Sequence, residues 1–179
     1  NLQHCFVHQH ARRRASTFWT GCGAVRRTVF EAHGGFDAMR WAIEDIELGY
    51  RMYATGRRMA LDPAVQVKHL KRWTVADWLR TDIFVRAIPW TQLILSYRRM
   101  PDDLNTGWGQ RVSVMCVFLA LACWLAGVIA GNTGMAFLGV ILLLPVLLIN
   151  RDFYAFLGRK RGFWFAARSA PVHLFYLLY

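Results

Sequence analysis

The sequence has few acidic residues, and they are unevenly distributed along the chain. Of its 11 Asp and Glu residues, only Asp152 lies after Gln110, whereas Lys and Arg continue to the C-terminal part. Nearly all candidate catalytic carboxylates therefore lie in the first part of the chain. The 4 cysteines form no C-x-x-C pair, so the sequence indicates neither a disulfide framework nor a zinc site.

Internal repeats and low-complexity segments are also absent, and the composition excludes two further classes of protein. Hydrophobic residues make up 55% of the chain, and the formal net charge is +11. A disordered chain would have a much lower apolar content. A simple soluble nucleic-acid binder would be basic but would not contain long uncharged apolar runs, so we expect no nucleic-acid partner.

Two such apolar runs lie in the C-terminal part of the chain. Residues 112–130 and 133–149 carry no charge, and both reach the length of roughly 17–25 residues that a membrane-spanning helix needs. The Gly131–Asn132 break between them leaves room only for a tight hairpin. Basic residues flank this hairpin on both sides, and such flanks mark the cytoplasmic side. We therefore expect an integral membrane protein whose residues 1–110 are cytoplasmic.

Residues 163–179 form a third apolar and aromatic segment. They predict either a third span or a helix that lies in the membrane interface. Arg168 within this segment has two readings, a functional intramembrane arginine or one that reaches lipid phosphates. A transporter fragment would fit the first reading, but the acid-rich first part of the chain argues against it.

The first part of the chain alternates between helical and extended patterns. Glu44–Ala54 is typical of a helix, because its acids cluster at the start and Glu47 and Arg51 are spaced for an i,i+4 pair. Short strands are predicted at Met59–Leu61 and at Ala64–His69, where every second residue shares a face.

A second helix is predicted after these strands. Thr74 and Asp77 resemble a capping box at its start. Asp82 and Arg86 then follow at i,i+4 spacing, and Pro89 is expected to end or kink the helix.

The adjacent acids Glu44 and Asp45 are the clearest candidates for chemistry. At a loop-to-helix junction, such a pair is well placed to take a proton or to meet a cation. The alternative is that they only interact favourably with the helix dipole. Spacing alone favours this second reading.

The order of several motifs along the chain supports the first reading. The sequence contains F-W-T-G-C-G at 18–23, G-G-F-D at 34–37, E-D-I-E-L-G-Y-R at 44–51, H-L-K-R-W at 69–73 and D-I-F-V-R-A-I-P-W at 82–90. Together with the hairpin, this order resembles the C-terminal half of the catalytic domain of membrane-bound family 2 glycosyltransferases of the GT-A fold. Cellulose synthase and hyaluronan synthase are relatives. The resemblance covers nearly all of residues 15–110.

The resemblance implies an α/β fold and a division of the chain into three regions. Residues 1–100 would be the C-terminal part of a GT-A, nucleotide-diphospho-sugar transferase-like domain, and residues 101–110 a linker. Residues 111–179 would be an α-helical transmembrane region. The family's Asp-x-Asp motif is absent from this sequence, so we expect the chain to be a fragment that lacks the N-terminal nucleotide-binding half and is inactive alone.

The resemblance also implies roles for individual residues. Asp45, with Glu44, would be the catalytic base that deprotonates an acceptor hydroxyl, so that the anomeric configuration inverts. The glycine-containing loops would follow the acceptor and the donor sugar; they comprise Gly21, Cys22, Gly23, Gly34 and Gly35.

Two residues near position 70 would contact the diphosphate. His69 matches a histidine that helps to bind the divalent metal, Mg²⁺ or Mn²⁺, in many enzymes of this fold. Its alternative is an ordinary histidine at a strand end. Lys71 lies close to His69 in the sequence, so its ammonium group would bind a phosphate of the same diphosphate.

Arg86 and Trp90 resemble the Arg and Trp of the Q-x-x-R-W motif of processive synthases, but here they are four residues apart. Arg86 would pair with the leaving diphosphate, and Trp90 would stack on a sugar or lie at the membrane interface. The departure from the motif favours the transfer of a single sugar over processive synthesis.

The expected function is therefore an inverting transfer of a sugar from a nucleotide-sugar donor to a lipid-linked, polyprenyl-phosphate or membrane-proximal acceptor. The divalent metal would be held mainly by an upstream Asp-x-Asp motif. The alternative function is non-enzymatic: a membrane-anchored basic module that binds anionic lipid or an acidic partner.

Overall fold

A computed structural model of the protein describes residues 5–7, 10, 13–65, 67, 70, 73–102 and 106–179. The chain divides into two compact units, His8–Asp103 and a second unit formed by Asn1–Val7 with Leu104–Tyr179. The predicted sites His69 and Lys71 lie outside the described residues.

The α/β fold class predicted from the sequence is wrong, because the described residues are mostly helical. Their only strands are β1 (Arg14–Ala15) and β2 (Met59–Ala60), which form one antiparallel pair. The predicted strand at 64–69 depended on alternating valines. In the structure Val65 and Val67 are exposed, and no described strand pairs with them. A period of two residues in the sequence does not produce a sheet unless a neighbouring element buries one face.

The first unit begins with short elements that lead to one long helix. They are a 3₁₀ turn at Thr20–Cys22, helix α1 at Arg27–Ala32 and a second 3₁₀ turn at Ala38–Arg40. Helix α2 then runs over Glu44–Ala54, with the predicted bounds.

Helix α2 approaches the segment that follows β1 very closely at Gly49. A Cβ atom added to Gly49 would lie 2.8 Å from the Thr17 Cα and even closer to the Phe18 amide nitrogen. Thr17 itself is buried. Gly49 therefore allows the backbone of residues 17–18 to pack directly on α2.

Pro89 does not end the second predicted helix. Helix α3 (Val75–Arg80) continues through a π-helical segment, Thr81–Ala87, into helix α4 (Ile88–Tyr97). The change from i→i+5 to i→i+4 hydrogen bonding places Pro89 in the first turn of α4, where a proline is tolerated. The predicted helix start is confirmed with Thr74 as N-cap, since the Asp77 amide donates to the Thr74 hydroxyl over 3.1 Å.

The core of this unit lies between α2 and α4. Ile43, Tyr50 and Leu93 are buried together, and the half-buried side chains of Ile46 and Trp90 pack against them. This packing holds the N-terminal end of α2 against α4.

The second unit contains the apolar helices. Helix α5 (Trp108–Ala130) ends at Gly131, whose φ of 59° is left-handed. Helix α6 (Thr133–Ile141) follows at once, and the Asn132 side chain caps it by accepting from the Gly134 amide over 2.9 Å. The predicted tight break at Gly131–Asn132 is therefore confirmed.

Three more helices complete the second unit: α7 (Leu143–Ile149), α8 (Arg151–Arg161) and α9 (Phe163–Tyr176). The predicted single helix over 133–149 is interrupted at Leu142. Buried Asn150 joins α7 to α8 and donates to the Ser113 hydroxyl over 3.0 Å, which ties this junction to α5.

Of the described helices, α5 is the one that is long and apolar enough to cross a membrane by itself. The Thr133–Ile149 stretch passes the same criterion only together with Arg151–Arg161, to which it is bent by 68°. This supports a membrane-spanning segment at α5, while spans over 133–149 and 163–179 stay predictions.

Candidate active site

The Asp45 carboxylate lies in the first turn of α2 and is oriented by three hydrogen bonds. Oδ2 accepts from the backbone amide and from the hydroxyl of Thr20, each over 3.0 Å, and Oδ1 accepts from the Ile46 amide over 2.7 Å. A carboxylate offers about four acceptor positions, so at least one remains for a substrate hydroxyl.

The bonds from Thr20 bring the predicted loop Gly21–Cys22–Gly23 to the acidic pair. Thr20 begins the 3₁₀ turn that contains Gly21 and Cys22. Gly23 follows in extended conformation, and an added Cβ there would lie 2.7 Å from the Trp19 carbonyl oxygen. Any larger residue at Gly23 would therefore displace the turn. Thr20 was missed from the sequence because its partner is 25 residues away.

The neighbouring Glu44 has an unusual environment. Its Oε2 atom is shielded from solvent and has no hydrogen-bond partner among the described residues. An acceptor buried without a donor costs about 1–3 kcal/mol, and more when it is charged. A ligand that brings a hydroxyl group or a cation to Glu44 would remove this cost.

The predicted loop Gly34–Gly35 is attached to the same helix. Both glycines have left-handed φ angles, 74° and 69°. The Arg51 guanidinium donates through Nη2 to the Gly35 carbonyl over 2.7 Å and through Nη1 to the His33 carbonyl. Helix α2 therefore holds this loop from its C-terminal half and carries Asp45 at its start.

A buried acid holds Arg51 in place. Glu47 accepts from Arg51 Nε over 2.8 Å and from Nη2 over 2.7 Å, which confirms the predicted i,i+4 pair. The Tyr97 hydroxyl on α4 donates to Glu47 over 3.1 Å. The hydrogen bond with Glu47 raises the pKa of Arg51. Burial raises the pKa of Tyr97, and the hydrogen bond between Tyr97 and Glu47 raises it further.

Arg86 lies in the π-helical segment. Its Nη1 is 3.6 Å from Asp82, which also accepts from the Trp78 indole over 2.6 Å. The predicted i,i+4 spacing of Asp82 and Arg86 therefore gives a pair in the structure. Among the described residues, no hydrogen bond or ion pair links Arg86 to Glu44 or Asp45. π-Helical segments occur frequently at functional sites.

Trp90 packs against α2. Its indole nitrogen donates to the Tyr50 hydroxyl over 3.4 Å, and its ring contacts the cluster of Ile43, Tyr50 and Leu93. The half-buried Trp90 ring therefore contributes to the core between α2 and α4.

A strained backbone precedes the acidic pair. Ala42 has a φ of 68°, which is unfavourable for any residue with a Cβ, and Ile43 then begins the helix as N-cap. This turn sets the direction in which α2 starts. The sequence has no signal for it, because alanine is not a residue that usually adopts this conformation.

The described residues contain no group of three or more His, Cys, Asp or Glu side chains that could hold a metal ion. Glu44 and Asp45 alone do not form such a set. The predicted metal ligand His69 lies outside the described residues, so a divalent metal stays a prediction.

The chain matches the sequence model of the family described as "Glycosyl transferase family 21" over residues 7–164. The chain belongs to this family. The match confirms the predicted class of glycosyltransferases, although the motifs had pointed to family 2. Searches among curated proteins and among solved structures each found no match to this chain.

Proposed function

We propose that this member of glycosyl transferase family 21 transfers a sugar from a nucleotide-sugar donor to a hydroxyl group of a lipid-linked or membrane-proximal acceptor. The observation that carries the proposal is the Asp45 carboxylate, which three hydrogen bonds orient at the start of α2. A base needs a fixed direction and a free acceptor position, and Asp45 has both.

In the proposed reaction, Asp45 takes the proton of the acceptor hydroxyl while that oxygen attacks the anomeric carbon of the donor. The new glycosidic bond forms as the bond between this carbon and the diphosphate oxygen breaks. The bonding electrons leave with the nucleoside diphosphate on the opposite face, and the proton ends on Asp45. A single displacement of this kind inverts the anomeric configuration.

The neighbouring residues have supporting roles in this proposal. Thr20 orients Oδ2 of Asp45, and Glu44 accepts a hydrogen bond from a second hydroxyl of the substrate at its unpartnered oxygen. Arg51 fixes the Gly34–Gly35 loop, along which the sugar would lie.

Arg86 is the proposed partner of the leaving diphosphate. Its pairing with Asp82 at 3.6 Å is long, and the Arg86 side chain is 43% exposed, so a phosphate with ideal bidentate geometry would compete well for it. Trp90 supports the position of α2 through its hydrogen bond to the Tyr50 hydroxyl. For His69 and Lys71, binding to the diphosphate or its metal stays a prediction from the resemblance.

The membrane location is part of the proposal. The apolar helix α5 supports it, and the basic flanks of the apolar segments favour a cytoplasmic first unit. An enzyme anchored in this way would meet a lipid-linked acceptor at the membrane surface.

The stereochemistry of transfer tests the reaction. Isolated membranes with the full-length protein would be incubated with a nucleotide sugar, and the anomeric configuration of the product determined by NMR. We expect the configuration opposite to that of the donor. A retained configuration would contradict a single displacement with Asp45 as base, and the absence of transfer with every nucleotide sugar would favour the non-enzymatic alternative.

A further inference from the structure

The second unit contains a groove between α8 and α9 with a volume of about 560 Å³. Small side chains line much of it: α8 contributes Ala155 and Gly158, and α9 contributes Ala166, Ala167 and Ala170. These positions follow helical spacing, so they form one continuous face on each helix. The groove is therefore an apolar channel about two helical turns long.

One end of the groove is basic. Arg159 lines it, and among the described residues its guanidinium has no hydrogen bond or ion pair. Lys160 and Arg161 follow, and the chain turns at Gly162 into Phe163, which also lines the groove. Adjacent basic and aromatic residues are typical of the level of lipid headgroups.

The lining contains no acidic residue and little free polar surface. The other polar side chain in it is Tyr154, whose hydroxyl is already bonded to Nδ1 of His173 over 2.8 Å. The groove therefore offers apolar contact along its length and a single unpaired cation at one end. This arrangement is complementary to a molecule with a hydrocarbon chain and an anionic head.

We propose that this groove binds one acyl chain of an anionic phospholipid, whose phosphate is bound by Arg159. The acyl chain lies along the alanines and Gly158 and gains the contacts that a shallow apolar channel offers. The proposal rests on the membrane location argued above but is independent of sugar transfer.

Gly158 provides a variant that closes the groove without disturbing the fold. A Cβ atom added at Gly158 meets no other atom within 4 Å, so Gly158→Leu projects into open space. Leucine is also a better helix former than glycine, which favours α8. Arg159→Gln removes only the cation. The matched control is Lys160→Gln, because the Lys160 ammonium lies 5.9 Å from the Phe156 ring centre and does not line the groove.

The experiment measures retained lipid by native mass spectrometry. The full-length protein is released from micelles that contain equal amounts of phosphatidylglycerol and phosphatidylcholine. We expect the wild type and Lys160→Gln to retain phosphatidylglycerol preferentially. Gly158→Leu should retain at least about tenfold less lipid, and Arg159→Gln should lose the preference for the anionic lipid.

Four results would overturn the proposal. They are equal retention of both lipids by the wild type, no retained lipid, wild-type retention in Gly158→Leu, and displacement of the lipid by inorganic phosphate alone. A separate extraction with alkaline carbonate checks the premise. Release of the wild type from membranes would contradict the membrane location, whereas altered retention in the variants concerns the groove alone.

Discussion

Thr20 and Asp45 are joined by two hydrogen bonds of 3.0 Å each, one from the backbone amide of Thr20 and one from its hydroxyl. Both end on Oδ2 of Asp45, so this oxygen is held by the glycine-containing turn while Oδ1 is bonded to the start of α2. The turn and the helix are distant in sequence and meet at the proposed base. The direction of the carboxylate therefore depends on both of them.

Replacement of Thr20 tests this dependence. Thr20→Val removes the hydroxyl bond but keeps the amide bond, so we expect kcat to fall about tenfold with little change in KM. Thr20→Ser keeps a hydroxyl and should restore the wild-type rate. A fall in KM and kcat together, or no recovery with serine, would show that Thr20 does not act by orienting Asp45.

The close packing at Gly49 predicts a loss of stability. Gly49→Ala places a Cβ against the backbone of Thr17 and Phe18, which cannot move aside as a flexible side chain would. We expect the free energy of unfolding to fall by about 1–3 kcal/mol in denaturant titrations. Gly21→Ala is the control for stability, because a Cβ added there meets nothing within 4 Å. Equal stability of the two variants would contradict the packing.

Two Arg–Glu pairs with the same spacing allow a matched comparison. The Arg51–Glu47 side chains are 25% and 6% exposed, whereas those of Arg27–Glu31 are 88% and 58% exposed. Arg51→Lys loses the planar fork that reaches the Gly35 carbonyl, so we expect a loss of about 1–3 kcal/mol and a higher KM for the donor.

The exposed pair is the control for this change. Arg27→Lys should alter stability by no more than about 0.5 kcal/mol and leave KM unchanged. If both substitutions had the same small effect, Arg51 would have no special role in holding the Gly34–Gly35 loop.

Tyr97 predicts a loss of stability at alkaline pH. Burial raises its pKa, as does its hydrogen bond to Glu47, while the charges of Arg51 and Arg40 act in the opposite direction. The folded protein therefore holds the phenol proton more tightly than the unfolded chain. The resulting stabilisation is present below the ordinary tyrosine pKa of 10.0 and is lost as the pH rises through the higher folded value.

This pH dependence is measurable in denaturant titrations of the full-length protein between about pH 8 and about pH 11. In Tyr97→Phe, the midpoint should be lower at neutral pH and should decline less steeply above pH 10. An identical alkaline decline in both proteins would assign it to other groups.

Local patterns in the sequence predicted local structure well. The bounds of Glu44–Ala54, the helix start at Thr74 and the break at Gly131–Asn132 each depend on residues within a few positions of one another. Helix caps, dipole effects and left-handed glycines act over that range.

The sheet and the details of the site could not be predicted in this way. Val65 and Val67 alternate correctly for a strand but have no described neighbour that buries them. The bond between Tyr97 and Glu47 joins residues 50 positions apart, and nothing near either residue indicates it. Contacts of this kind are decided by tertiary packing.

The role of the Asp45 carboxylate as the base for sugar transfer is tested by Asp45→Asn. The amide keeps the size of the side chain but cannot take a proton. The control is Asp62→Asn, because the Asp62 carboxylate accepts from the Ala64 amide in a turn and, in the part of the chain that the structure describes, from no other group. Both variants of the full-length protein would be assayed in isolated membranes for transfer and for donor binding. We expect Asp45→Asn to bind donor as the wild type does but to transfer sugar about 10²–10⁴-fold more slowly, while Asp62→Asn is unchanged. Transfer by Asp45→Asn at the wild-type rate would show that Asp45 is not the base.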